Sequence, residues 1–169
     1  MPSLAPTLLT PAAVALRRHA PVADVRAGSV PIVVLDTNVV LDWLLFDDAR
    51  CRHLADAIAS GALRWIASAP MRAELDHVLA RGIASARAGH PDRVRDGWER
   101  WSITVEAARR PSPPALRCTD ADDQKFIDLA LESGAAALLS RDRAVLKLAR
   151  RAATHGLTIA SGAAWPATG

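Results

Sequence analysis

Residues 30–40 read VPIVVLDTNVV, an apolar and largely β-branched run that is interrupted at Asp36. A run without polar alternation is typical of a strand that is buried on both faces, as strands are inside a parallel sheet. Because helices cover both faces of such sheets, the stretch favours an α/β fold. Asp36 stands where this strand ends, and open parallel sheets bind their ligands in the crevice outside the carboxyl ends of the strands. The same stretch therefore supplies a candidate functional residue.

The rest of the chain alternates between helix and strand signals. Apolar residues at helical spacing predict helices, and short apolar runs predict strands. The predicted helices cover 49–59, 70–79, 120–134 and 142–153, with partial helix in 83–101, and the further strands cover 64–67, 103–106, 135–139 and 157–160. Strands that alternate with helices predict a mainly parallel sheet.

Residues 1–29 differ in composition from the rest of the chain. They contain four prolines, many alanines and three arginines, with at most a short helical stretch. We interpret them as a flexible and dispensable N-terminal extension. Residues 30–165 are then interpreted as one domain.

Composition excludes several classes of protein. The chain has 169 residues, a net charge of +3 and 50% hydrophobic residues, as expected for one globular domain with a mild preference for polyanions. Cys51 and Cys118 form no C-x-x-C pair, so neither a disulfide scaffold nor a zinc site is indicated, and a reducing cytoplasm fits. The sequence contains no apolar run long enough to cross a bilayer and no phosphate-binding glycine motif. Prolines interrupt the first apolar stretch, so we do not expect a secretory signal.

Four acidic residues stand where a purely structural role does not require them. Asp36 and Asp142 each follow an apolar strand, so both are expected at the carboxyl edge of the sheet. Glu74 lies on the edge of the apolar stripe of its helix, and Asp123 lies on the stripe of a later helix, near its amino-terminal end. All four side chains are therefore expected to face one interior.

Four carboxylates that face one interior repel one another, and burial further disfavours their charged forms. We therefore expect a cation among them. Oxygen ligands without Cys or an obvious His match Mg²⁺ or Mn²⁺ better than Zn²⁺. One or two such ions can activate water and stabilise the leaving oxygen in phosphodiester hydrolysis, which is the chemistry of a nuclease.

These acids also have structural alternatives. Asp36 and Asp142 can each serve as the N-cap of a following helix. Among the crowded acids Asp120, Asp122 and Asp123, we expect Asp120 to be the N-cap and Asp122 to assist the metal. The residues alone leave the choice between capping and chemistry open.

Four motifs occur in the order and spacing of a known family. They are LDTNV over 35–39, Glu74 within 71–79, CTDADDQKF over 118–126, and LSRD over 139–142. This ordered set, which extends from Val30 to Ala160, resembles the PIN domain. The resemblance is closest to the bacterial PIN proteins described as toxin components of toxin–antitoxin systems, relatives of VapC-type ribonucleases.

The resemblance implies a three-layer α/β/α fold and an Mg²⁺- or Mn²⁺-dependent endoribonuclease that hydrolyses RNA as the toxin of a type II pair. The metal-binding and catalytic residues that it implies are Asp36, Glu74, Asp123 and Asp142. Asn38 and Ser140 match polar positions that support such a site. A cognate antitoxin is an expected partner beside the RNA substrate, and homodimers are common among similar proteins.

Arg141, Arg143 and Lys147 are candidate contacts to RNA phosphates, although a solvated helix face explains them equally well. Two other functions stay open. A domain that binds RNA or an antitoxin without cutting would keep the same fold. An aspartyl phosphatase would also end a strand with an aspartate such as Asp36, but it usually has a second aspartate where this chain has Asn38.

Overall fold

The structure, a computed structural model, describes residues 19–82 and 90–164. Its centre is one sheet in which each pair of neighbouring strands is parallel. The strands are β1 (His19–Ala20), β2 (Ile32–Leu35), β3 (Arg64–Ser68), β4 (Ser102–Val105), β5 (Ala137–Leu139) and β6 (Thr158–Ala160). Their order in the sheet is β1-β4-β3-β2-β5-β6. The parallel sheet predicted from the sequence is confirmed.

Helices cover both faces of this sheet. They are α1 (Val22–Arg26), α2 (Thr37–Leu44), α3 (Arg52–Ala59), α4 (Ala69–Ala80), α5 (Pro91–Trp101), α6 (Gln124–Ser133), α7 (Arg143–Leu146) and α8 (Ala149–Ala153). Because crossovers between parallel strands are right-handed, α2 to α5 lie on one face, and α1 and α6 to α8 on the other. Contacts of α2 with α5 and of α1 with α6 agree with this division. The fold is a three-layer α/β/α sandwich, as expected.

Short 3₁₀ turns occur at Ala49–Cys51, Pro114–Leu116 and Gly162–Ala164. The longer helices give the molecule its two outer layers. In the described part of the chain, no helix combines the length and the apolar character that a membrane span needs.

β2 occupies the middle of the sheet between β3 and β5. All four of its residues are buried because helices cover both faces, which explains the unbroken apolar run in the sequence. Val34 is paired with Ile66 of β3 and with Leu138 of β5. The strand ends at Leu35, so Asp36 emerges at the carboxyl edge of the sheet beside the end of β5.

Three tryptophans fill space between the sheet and helices α2 and α5. The ring of Trp65 on β3 lies 4.9 Å from the ring of Trp98 and 5.9 Å from that of Trp43, measured between centroids. Trp65 and Trp98 meet edge to face, an arrangement that aromatic pairs favour. Gly97 lets α5 approach α2, since a Cβ atom there would lie 2.8 Å from the Leu44 side chain. Trp98 is therefore a core residue.

The helices differ from the sequence predictions in three places. α2 forms over Thr37–Leu44, where the sequence offers only the candidate N-cap at Asp36 as a helix signal. Most side chains of α2 are buried, so no exposed polar face marks it in the sequence. The helix expected to open at Asp120 begins at Gln124 instead. The helix expected over 142–153 is divided into α7 and α8.

Part of the predicted N-terminal extension packs onto the domain. Within residues 19–29, β1 pairs with β4, and α1 contacts α6 and buries Val25. Arg64 of β3 holds the segment that connects α1 to β2. Its Nη2 group donates hydrogen bonds to the carbonyl oxygens of Val25 and Val30 at 2.7 and 2.9 Å. Residues 1–18, like 83–89, lie outside the described residues. The boundary placed at Val30 thus divides elements that pack together.

Replacing Val25 with Ala tests whether α1 belongs to the cooperative unit. Two buried methyl groups are lost, so we expect the free energy of unfolding to fall by about 2 kcal/mol. Urea denaturation followed by circular dichroism measures this change. Asp24→Ala, at an exposed position of the same helix, is the control and is expected to unfold like the wild type. Equal stability of Val25→Ala and wild type would mean that α1 folds separately from the sheet.

Candidate active site

Asp36 lies directly after β2 and is only 3% exposed. Its carboxylate accepts hydrogen bonds from the backbone N–H of Asn38, from the Asn38 side-chain amide at 2.8 Å and from the hydroxyl of Ser140. The bond from the Asn38 N–H makes Asp36 the N-cap of α2, so the capping alternative holds for this residue. Three donors therefore hold one buried carboxylate at the end of the central strand.

Asp142 lies at the end of the neighbouring strand, β5. It is the N-cap of α7, because its Oδ1 accepts a hydrogen bond from the N–H of Ala144 at 2.6 Å. The capping alternative therefore holds for Asp142 as it does for Asp36. Since β2 and β5 are paired parallel strands, the residues that come after them lie at the same edge of the sheet.

Asn38 and Ser140, the two predicted supporting residues, connect these strand ends. The buried Ser140 hydroxyl donates to Asp36, and its oxygen accepts the N–H of Asp142 at 2.9 Å. The Asn38 amide nitrogen donates to Asp36, and the amide oxygen accepts the N–H of Arg141 at 2.9 Å. Each residue therefore fixes the end of β2 to the loop after β5.

Glu74 approaches the same edge of the sheet from α4, the helix that follows β3. Its side chain is 27% exposed and forms an ion pair with the ammonium group of Lys125 on α6. Because α4 and α6 belong to opposite helical layers, this pair bridges the layers beyond the carboxyl edge of the sheet. No sequence signal had assigned Lys125 a role.

Asp123 stands at the N-cap position of α6, but its side chain makes no capping hydrogen bond. Burial raises the pKa of this carboxyl, and the negative charges of Asp36, Asp142, Asp120 and Glu74 raise it further, to about 7. The charges of the other three predicted acidic residues therefore act on Asp123. We call the region between these four side chains the cleft.

The pKa of Asp36 is also raised above its usual range. Burial is the main cause, and it outweighs the hydrogen bonds from Ser140 and Asn38, which lower the pKa. The charge of Glu74 adds to the increase. A cation placed among these carboxylates would act in the opposite direction and favour their charged forms.

A comparison with known families shows to which family the chain belongs. A family model described as PIN domain matches residues 32–144, which is more than half of the chain and includes all four acidic residues. The chain belongs to the PIN domain family. PIN domains are generally nucleases, so membership supports nuclease activity in general. In these comparisons no curated protein and no solved structure matches the chain.

Two further acids of this PIN domain, Asp120 and Asp122, lie in the exposed turn before α6. The Asp120 carboxylate accepts the N–H of Asp122 at 2.9 Å, so it stabilises the turn and does not cap α6 as expected. The carbonyl oxygen of Asp122 accepts a hydrogen bond from the Lys125 ammonium. The role of the Asp122 side chain in assisting a metal stays a prediction.

The three cations predicted to contact RNA differ in their surroundings. Arg143 and Lys147 are exposed in and directly after α7. Arg141 forms an ion pair at 2.7 Å with Asp42 of α2, which is 7% exposed. Burial raises the pKa of Asp42, and the charge of Arg141 opposes that rise. Asp42 was not predicted because it lies in an apolar stretch that carries no helix signal.

The donors of this PIN domain fit a hard divalent cation by their chemistry, since the four predicted ligands are all carboxylates. Within the described ranges, no three Asp, Glu, His or Cys side chains form a group close enough to hold a metal ion as they stand. Hydrogen bonds engage Asp36 and Asp142, and Lys125 engages Glu74. The residues that would hold an ion are Asp36, Glu74, Asp123 and Asp142, once these partners are exchanged for it.

Asp123→Asn tests the electrostatic state of this cleft. The folded protein holds the pKa of Asp123 near 7, against an ordinary value of 3.8, so between these values the folded state binds more protons than the unfolded chain. The stability that protonated Asp123 contributes is therefore lost as the pH rises towards 7. In EDTA, we expect the melting temperature of the wild type to fall relative to that of the variant as the pH rises from about 4 to about 7, and the difference to level off above pH 7.

Differential scanning fluorimetry at a series of pH values measures both curves. Asp56→Asn, at an exposed position of α3, is the matched control, and its curve is expected to follow that of the wild type. Parallel curves for the wild type and Asp123→Asn would contradict the raised pKa.

Proposed function

We propose that this PIN domain is an Mg²⁺- or Mn²⁺-dependent endoribonuclease and the toxin of a type II toxin–antitoxin pair. The observation that carries the nuclease part is the state of Asp123. Its carboxylate makes no capping bond, and burial and acidic neighbours raise its pKa to about 7. Such a group destabilises the metal-free protein in its charged form, and a bound cation would relieve that repulsion. A carboxylate of this kind supports the proposal of a bound cation, which would activate water for phosphodiester hydrolysis.

The residues of the chain have separate tasks in this proposal. A divalent cation bound here would activate a water molecule and neutralise charge on the phosphate. Asp36 and Asp142 would hold the ion from the strand ends, where Ser140 and the capping bonds fix their positions. Glu74 and Asp123 would complete the set of oxygen ligands from α4 and the start of α6.

The surroundings of Asp36 disfavour the phosphatase alternative. A nucleophilic aspartate has to reach the phosphorus atom of its substrate. The carboxylate of Asp36 is 3% exposed and is held by Asn38 and Ser140. It is therefore better placed to hold an ion than to attack.

The proposed substrate is RNA. Arg143 directly follows Asp142, Lys147 follows the end of α7, and both are exposed, so they would be able to contact RNA phosphates. Arg141 is half exposed, and its ion pair with Asp42 fixes the loop that carries Asp142. Arg141 would therefore act on RNA mainly through the position of this loop.

The toxin part of the proposal rests on the motifs and on the charge of the cleft. A cognate antitoxin would block the cleft with a basic side chain that competes with the metal for the carboxylates. The ion pair of Glu74 with Lys125 supports this idea, because an ammonium group already lies against one of these acids. The proposed place of action is the cytoplasm.

Cleavage of a labelled mixed RNA by the purified protein tests the nuclease proposal. We expect cutting with Mn²⁺ or Mg²⁺ and none with EDTA. Asp123→Asn should reduce the rate by at least about tenfold to a hundredfold, because the loss of even the groups that orient metal ligands commonly costs that much. Its circular dichroism spectrum should be unchanged, because the Asp123 side chain makes no capping bond. Asp56→Asn should cut at the wild-type rate.

Cleavage by Asp123→Asn at the wild-type rate would contradict the role given to this residue. Failure of a folded wild type to cut with either ion would favour a second candidate, a PIN domain that binds RNA or an antitoxin without cleaving. The observation in favour of this candidate is the Glu74–Lys125 ion pair, because it engages one of the four carboxylates. RNA binding without cleavage, measured by fluorescence anisotropy, would support it.

Growth of a bacterial host tests the toxin part separately. Induced expression of the wild type is expected to arrest growth, since cleavage of cellular RNA stops protein synthesis. Expression of Asp123→Asn at the same soluble level should permit growth. Normal growth with a wild type that cuts RNA in vitro would contradict the toxin role and leave the nuclease role intact.

A further inference from the structure

Lysine is rare in this chain, which contains Lys125 and Lys147 among many arginines. Lys125 is the second residue of α6, where the positive end of the helix dipole disfavours a cation. The groups around the ammonium must therefore stabilise its positive charge, because the helix does not.

Three groups hold the ammonium of Lys125. It pairs with the carboxylate of Glu74, donates a hydrogen bond to the carbonyl oxygen of Asp122, and lies 4.9 Å from the centroid of the Phe126 ring. The Phe126 ring is fully buried, whereas the side chain of Lys125 is 25% exposed. Lys125 therefore contacts one of the predicted acidic residues and keeps part of its side chain in solvent.

The charge of Lys125 offsets repulsion within the acidic cluster. Glu74 acts on both Asp36 and Asp123, because its negative charge disfavours the charged form of each. A positive charge against Glu74 reduces that effect. Lys125 thus supplies part of the positive charge that a bound metal ion is expected to supply.

We propose that Lys125 is an internal counter-ion that competes with a divalent cation for Glu74 and so sets the affinity of the site for metal. This inference rests on the proposed metal-dependent function. When an ion binds, Glu74 turns to it and Lys125 moves towards solvent. Lysine suits this exchange because its charge is compact and its stem flexible, whereas arginine can hold a carboxylate through two parallel hydrogen bonds. Lys125 is therefore a positioning residue.

Calorimetric titration of the full-length protein with Mn²⁺ tests the proposal. Lys125→Met keeps the apolar stem and removes the charge, so we expect it to bind Mn²⁺ about tenfold more tightly than the wild type. Lys125→Arg keeps the charge and should bind Mn²⁺ with wild-type affinity or more weakly. Lys147→Met removes the same charge from an exposed position, and its affinity should lie within about twofold of the wild type because solvent screens it.

Melting temperatures give a second measurement that does not depend on activity. In EDTA, Lys125→Met should melt below the wild type, because the acids lose their internal counter-ion. In saturating Mn²⁺, it should show a larger rise in melting temperature than the wild type does. A merely structural role for Lys125 would lower both temperatures alike.

Unchanged or weaker Mn²⁺ binding by Lys125→Met would overturn the proposal and leave the proposed function standing. A wild type that binds no Mn²⁺ would overturn the proposed function and this inference together. If Lys125→Met does not fold, Lys125→Gln takes its place with the same expectation, because glutamine keeps a hydrogen-bond donor for the Asp122 carbonyl.

Discussion

The buried carboxylate of Asp36 fixes the geometry on which the rest of the site depends. A carboxylate at 3% exposure is stable only where hydrogen bonds replace the water that it has lost. The donors come from two segments, with Asn38 at the start of α2 and Ser140 in the loop after β5. The carboxylate of Asp36 has all of these hydrogen bonds only when both segments are folded into place. Formation of the central strands and shaping of the cleft are therefore coupled.

The acids of the cleft are stabilised in different ways. Asp36 and Asp142 each cap a helix, so the fold uses both carboxylates, although burial still raises the pKa of Asp36. Asp123 has no capping bond, and nearby charges oppose its ionisation. The site thus combines two carboxylates that cap helices, Asp36 and Asp142, with a third, Asp123, whose charged form only a nearby cation would stabilise. This division is typical of functional sites, where local rules of stability are broken for the sake of activity.

Sequence reasoning found β2 because an unbroken apolar run is a local signal. It selected the four acids because they stand at strand ends or on apolar stripes, and their role as a metal site stays a prediction. It could not find α2, since a helix with few exposed side chains has no amphipathic pattern. It placed the start of one helix at Asp120 because the capping preference of aspartate does not separate a turn from a helix. The pairing of Lys125 with Glu74 joins residues far apart in sequence. The one local signal for this ion pair is the position of Lys125 in the first turn of a helix.

β1 covers part of the outer edge of β4. Its two residues pair with Thr104 and Val105, so backbone groups that would otherwise face solvent are shared with a neighbouring strand. An open sheet edge is a template on which another chain can add a strand. A protein shortened to begin at Val30 would present β4 as such an edge. The segment over 19–29 therefore protects the molecule against edge-to-edge aggregation as well as completing its sheet.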